Sequence, residues 1–505
     1  MGSYTIKSFE GKLILAATIL ASGMAFLDGT VVNIAIPVIQ SSFHTTIAGI
    51  QWVINSYILI LGSLILISGS LGDRYGRKKI FSYGIGLFIF SSFLCGVAQS
   101  IEQLIIFRSL QGIGAAMMIP GSLSIIHNSF VDNVQGKAIG LWSGFAGGVA
   151  ALGPFLGGWL VQTFGWQSIF YINIPIGILA LFLTLRYVPE SKNEDAKHLD
   201  LFGTLLLFLS LLGMSYALIE SPSLGINHPF VVGSSLISIL SFIGFVLQEK
   251  KAKEPLVPFQ IFNSSLVIGA NIVTLFLYFA LNGVIFFFIL NLQQLQHYSP
   301  LAAGLSMLPA ILIITFLSGP AGSLSDKIGP RLPMIIGPAI VSIGMVLLLL
   351  PGQQANYFVS FLPGLVLFGC GMALLIAPLT KSALSVDRRY SGSASGVNNA
   401  VSRVAALLAV ALLGAIMATV FTDHLVKNIA QTSLSHNEKQ QILMQKDMIG
   451  GIQIPQTFHP EQKIIAQKAI EDSFLFAFRT IIGIGAFLAL ISSVIAFFMI
   501  HNKQK

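Results

Sequence analysis

Apolar runs of about twenty residues or more follow one another from residue 13 to residue 499, and they decide what this chain can become. Each is long enough to cross about 30 Å of hydrocarbon at 1.5 Å per helical residue. We place spans at 13–38, 48–70, 80–100, 102–126, 137–161, 166–188, 200–219, 230–248, 266–290, 301–320, 331–350, 357–381, 394–421 and 474–499. In lipid every backbone polar group has to be satisfied within the protein, so these crossings read as helices and not as open strands. The expected fold class is an all-α polytopic membrane protein with 14 transmembrane helices. Composition agrees: 54% of the 505 residues are hydrophobic and only 10% are charged, against about 25% charged in a soluble domain. The 38 phenylalanines and 49 glycines suit helices packing in lipid, where small residues let backbones approach.

The start, MGSYTIKSFEGK, puts positive charge ahead of an apolar run, as a signal peptide would. The run from Leu13 to about Ile39 exceeds a cleaved apolar core, so it reads as a retained first span. Basic residues then set direction. With the amino terminus in the cytoplasm, the even-numbered loops carry Arg74, Arg77, Lys78, Lys79, Lys137, Lys192, Lys197, Lys250, Lys251, Lys253, Lys327, Arg388 and Arg389. Short odd-numbered loops carry essentially none. The long polar loop near 422–473 holds Lys427, Lys439, Lys446, Lys463 and Lys468 but is expected outside, because long translocated loops follow the charge rule weakly. Both termini are therefore expected in the cytoplasm. Orientation also accounts for the formal charge of +8 without a nucleic-acid partner.

One charged insertion recurs. GSLGDRYGRKK at 69–79 separates spans 2 and 3, and a paler copy, GSLSDKIGPR at 322–331, separates spans 10 and 11, 253 residues later. That spacing implies two six-helix bundles with spans 7 and 8 inserted between them. The expected domains are 1–190, the inserted pair with its connectors at 191–260, and 261–505. In the first turn Gly69, Gly72 and Gly76 permit tight backbone approach; Asp73 can accept from helix-terminal N–H groups or from a cation. Arg74, Arg77 and Lys78 can grip carboxylates, helix carboxyl ends or lipid headgroups. In the second turn Asp326, Gly329 and Arg331 take the corresponding places. Topology alone explains the charges, but not the glycines or the recurrence, so the turns read as conformational latches.

Few polar groups lie deep in the spans. Asp28 sits about fifteen residues into span 1, where an ionised carboxylate has to face a cavity or a partner. Thr30 and Asn33 follow it. Arg108 enters from the opposite direction in span 4, which brings it into the same half of the membrane, and Gln111 shares its face at i+3. Asp28 and Arg108 are the proton-coupling candidates, with a purely structural network as the alternative. Thr30, Asn33, Gln111, Asn398, Asn399 and Arg403 are candidates for the substrate cavity or for polar contacts between helices. Gly153, Pro154, Gly157 and Gly158 in GPFLGG supply a close-packing face and a weakened helix, as a gate between bundle halves requires. Phe276, Tyr278, Phe286, Phe287 and Phe288 either line an aromatic pocket or face lipid.

These motifs carry a resemblance. GSLGDRYGRKK resembles the loop signature of the major facilitator superfamily. LDGTVVNIAIP at 27–37 is similar to the first-span signature of its fourteen-helix drug:proton antiporter branch, RSLQGIGAA at 108–116 to the fourth-span signature, GPFLGG at 153–158 to the antiporter signature, and WQSIFYINIPIG at 166–177 to the branch's sixth-span start. Three departures are visible: Val149 where a glycine is common, Gln167-Ser168 where Arg-Trp is common, and Lys327 with Pro330 in the second turn.

The resemblance implies a major facilitator fold and a secondary active transporter exporting amphipathic drugs or toxic small molecules by alternating access, with protons as coupling ion and no cofactor. It implies a helix-4 arginine, here Arg108, tied to proton coupling, a bacterial cytoplasmic membrane, and function as a monomer among membrane lipids. A specific metabolite or lipid-like compound stays open as cargo. Enzymatic and ATP-driven readings find no support: there is no GxxxxGK loop and no HExxH, His127, His228 and His297 are scattered, and no metal-ligand cluster includes Cys95 or Cys370. The two cysteines read as small buried side chains, although one disulfide is formally possible.

Overall fold

The computed structural model describes residues 4–192, 199–252, 255–386 and 391–501. The expected loop charges Lys197, Lys253, Arg388 and Arg389 lie outside the described residues. Helices account for nearly everything else: α1 (Phe9–Phe43), α2 (Ile47–Tyr75), α3 (Arg77–Gly96), α4 (Ile101–Ser129), α5 (Asp132–Phe164), α6 (Ser168–Tyr171) and α7 (Asn173–Tyr187). The two helices expected as an insertion are α8 (Leu201–Leu224) and α9 (Pro229–Lys251). There follow α10 (Ser265–Leu290), α11 (Pro300–Ile328), α12 (Arg331–Leu347), α13 (Leu362–Ala383), α14 (Ser391–Ala430), α15 (His436–Leu443) and α16 (Pro460–Met499).

Among the described residues, thirteen helical stretches are long and apolar enough to cross a membrane. The remaining expected span, 331–350, is helical only over the seventeen residues of α12, about 25 Å of rise; turn residues and Pro351-Gly352 end it. Span 6 is assigned as two pieces, α6 and α7, joined through Ile172, which keeps right-handed helical dihedrals (φ −60°, ψ −28°), just before a buried Asn173. The long loop is shorter than expected. α14 runs to Ala430 and α16 begins at Pro460, so the connection covers 431–459. Both helices continue past their apolar stretches because they keep one buried face: Leu425 and Ile429 on α14, Ala466 and Ile470 on α16. Within the connection, α15 is closed by a capping box in which Ser435 and Glu438 bond each other's backbone N–H.

The chain divides into two compact units. The first comprises Met1–Ala35, Val53–Gly213 and Leu236–Phe259; the second comprises Ile36–Trp52, Met214–Ser235 and Gln260–Lys505. In the first, α3 packs on α4 and α7. The backbones of α3 and α4 meet at Gly84 and Gly114, where a Cβ on either would stand 3.0 Å or less from the other's carbonyl oxygen. In the second unit, α12 packs on α13 and α16, and α12 meets α13 through the pairs Gly337–Gly371 and Gly344–Gly364 in the same reciprocal way. Close helix contact through small residues replaces the water-driven burial that lipid cannot supply. Cys95 and Cys370 are free thiols.

Candidate functional site

The first unit holds one ion pair sealed from solvent. Asp28 on α1 and Arg108 on α4 are each 1% exposed, and Arg108 Nη1 donates to Asp28 Oδ2. The other carboxylate oxygen, Oδ1, accepts from Gln111 Nε2 at 2.9 Å and from Asn173 Nδ2 at 3.1 Å. Gln111 Oε1 in turn accepts from Arg108 Nη1 at 2.6 Å, and its amide donates to Ser92 Oγ at 2.8 Å. Arg108 Nε reaches the Val53 carbonyl at 3.3 Å. The guanidinium plane also lies 4.3 Å from the Tyr57 ring centroid, while the Tyr57 hydroxyl donates to Ala25 O at 3.2 Å. Five helices thus contribute to one polar cluster: α1, α2, α3, α4 and α7. A buried charge is tolerated only when paired and hydrogen-bonded, and here both carboxylate oxygens of Asp28 and the Nε and Nη1 groups of Arg108 have partners. Protonating Asp28 would remove the counter-charge and leave Arg108 facing only dipoles and a ring face.

The other sequence candidates separate. Thr30 donates to Leu27 O at 2.9 Å and to Ala150 O at 3.1 Å, tying α1 to α5. Gly153 faces that hydroxyl so closely that a Cβ there would overlap it, and a Cβ on Gly157 would stand 3.2 Å from Val31. Gly158 and Pro154 are buried on the same helix. The departure at Val149 is matched from the other side: Gly23 on α1 faces Val149 with room for a Cβ, which would stand an ordinary 3.6 Å from it. Asn33 stands apart from the cluster, half-buried, with one long contact to Gly29 O at 3.5 Å. In the second unit Asn398 bonds Thr274 Oγ1 at 2.9 Å and Asn271 Oδ1 at 3.2 Å, joining α14 to α10. Asn399 turns back to its own helix at Ser395 O. Arg403 on α14 and Tyr278 on α10 are half-buried, whereas Phe286, Phe287 and Phe288 are core residues.

Both charged turns are built alike. Gly76 (φ 107°) ends α2 by donating its N–H to Gly72 O at 3.0 Å, and Gly329 (φ 87°) ends α11 by donating to Ser325 O at 2.9 Å. A residue with a Cβ is strained at such φ. Asp73 pairs with the cation Arg77 one turn on, at 2.7 Å. The helix terminus goes instead to Glu190, whose two oxygens accept the N–H groups of Lys78 at 3.1 Å and Lys79 at 3.2 Å. Arg77 N donates to Ser191 O at 2.9 Å, and Lys78 Nζ closes the far end of α7 at Leu185 O. Arg74 lies over Tyr75, and Gly69 has open space where a Cβ would project. In the second turn, Asp326 reaches across to Lys381 on α13 at 2.5 Å, and Arg331 rests on the Phe497 ring and carbonyl of α16.

The sequence profile of the Major Facilitator Superfamily matches residues 18–410, most of the chain and every element of the cluster above. The chain belongs to the major facilitator superfamily. Similar members include the multidrug resistance protein Stp of Mycobacterium tuberculosis, 35% identical over 408 residues, which cover 80% of this chain and 76% of Stp. The puromycin resistance protein pur8 of Streptomyces alboniger is 35% identical over 417 residues, 80% of each chain. Among solved structures, a bacterial homologue of the human lysosomal transporter Spinster, inward-facing and unoccupied, superposes with a TM-score of 0.69 at 17% identity, over 97% of this chain and 98% of that one. As a major facilitator protein this chain is a secondary active transporter, not an enzyme. Sequence reasoning missed Ser92, Tyr57, Asn173 and Glu190. Only Asn173 left a signal, as the asparagine inside the otherwise apolar IFYINIPIG stretch.

Proposed function

We propose that this transporter exports amphipathic drugs or toxic small molecules from the cytoplasm or inner leaflet, in exchange for protons that act at Asp28. The observation that carries the coupling is the sealed Asp28–Arg108 pair with its shell of Gln111, Asn173, Ser92 and Tyr57. While Asp28 is charged, the pair holds α1 and α4 together. Protonation from outside releases Arg108 to its weaker partners, which favours a different packing of these helices and the release of cargo. Cargo and proton have to prefer opposite states, since equal binding to both shifts nothing. With net entry of positive charge, the membrane potential adds about 2.3 kcal/mol per charge at 100 mV. Stp and pur8 support drug-like cargo by their resistance roles. The Lys and Arg distribution supports a bacterial cytoplasmic membrane location with both termini inside, and the chain then works as a monomer. In this reading the two charged turns and GPFLGG set the barrier between states, and Asn398 and Arg403 border the path of the cargo.

Reconstitution in vesicles tests it. With labelled puromycin and an internal pH dye, we expect drug movement against its gradient to dissipate an imposed proton gradient. Movement of a single metabolite with no proton flux overturns the coupling.

A further inference from the structure

α1 has a second face besides the one that carries Asp28. Phe26, Gly29 and Asn33 recur at i, i+3 and i+7, one stripe of the helix. Phe26 and Asn33 are half-buried, and Gly29 is exposed, with open space where a Cβ would project. A carboxamide on a crossing helix is costly against lipid, so this stripe borders water or cargo. Trp142 of α5 packs its ring against Phe26, centroids 6.4 Å apart at 61°. The indole is 7% exposed, yet its Nε1 has no hydrogen-bond acceptor. A buried indole N–H ordinarily finds one, because nothing offsets its lost hydration otherwise. The ion-pair cluster of this unit leaves Arg108 and Asp28 fully engaged, whereas the Phe26–Trp142 corner keeps an aromatic wall and an unused donor.

We propose that this corner is a cargo subsite: Phe26 and Trp142 take an aromatic ring of the transported compound, and Trp142 Nε1 donates to a carbonyl or ether oxygen next to that ring. Gly29 leaves room for a flat ring to approach α1, and Asn33 lies one turn further on for a second polar group. The inference rests on the export reading above and adds which part of the cargo is recognised.

Binding to the purified full chain tests it with two probes. Puromycin has aromatic rings with carbonyl and methoxy oxygens; tetraphenylphosphonium has rings and no acceptor. Trp142→Phe keeps the ring and removes the N–H. We expect it to raise the puromycin Kd about five- to ten-fold, the cost of one hydrogen bond, and to leave the tetraphenylphosphonium Kd within about two-fold. Phe26→Leu keeps apolar bulk and should weaken both probes, which retains a test should Trp142→Phe not fold. Unchanged puromycin binding by Trp142→Phe, or equal loss of both probes, overturns the subsite while wild-type export stands. A wild-type chain that binds neither probe and exports nothing overturns the export reading together with it.

Discussion

Asp28 and Arg108 stabilise the fold only as a pair, and this gives the mechanism a stability signature. Asp28→Asn leaves Arg108 buried without a counter-charge, a loss of about 3–5 kcal/mol when one partner of a buried pair goes. We expect a lowered melting temperature together with abolished proton-driven accumulation. Adding Arg108→Gln removes the orphaned charge, so the double variant should regain much of the melting temperature while remaining uncoupled. A double variant that transports normally would remove the pair from the proton route. The three groups that lie on α1 and α4 were legible in the sequence because Asp28, Arg108 and Gln111 interrupt apolar runs. Ser92, Tyr57 and Asn173 were not, since serine and tyrosine are ordinary in crossing helices, and only the packing of α2, α3 and α7 brings them to the pair.

At the scale of single elements, the turn between α2 and α3 concentrates the local constraints. Gly76→Ala meets a left-handed φ and the Glu190 carboxyl, 2.9 Å from the new Cβ. It should cost about 1 kcal/mol or more in thermal unfolding. Gly72→Ala, where the nearest atom lies at 3.7 Å, should be close to neutral. Equal effects of the two would show that neither φ nor Glu190 constrains this turn. The glycines announced the turn in the sequence, but the partner of the α3 terminus did not appear there: Glu190 is separated from Lys78 by 112 residues and looks like any loop acid. Helix lengths were the least legible feature. α14 and α16 each outrun their apolar stretch on a face that only tertiary packing buries.

Across the molecule the two charged turns share one local geometry with unequal fastenings. Positive-φ glycines close both turns, and reciprocal glycine contacts join α3 to α4 and α12 to α13, a likeness of packing that no motif spelled out. The second turn's bridge, Asp326–Lys381, has side chains 60% and 71% exposed. Such pairs contribute about 0–1 kcal/mol, and Asp326→Asn should leave unfolding nearly unchanged. A fall of several degrees in melting temperature would contradict that assignment. The first turn is fastened differently. Its residues bond Glu190 and Ser191, where the first six spans end and the connector toward α8 begins. Glu190 and Ser191 are thus held at the head of α3, and a pull on Ser191 arrives there. A tag spliced directly after Ser191 would therefore load the helix that carries Ser92, far from the insertion in sequence but one rigid rod away from the Asp28–Arg108 cluster.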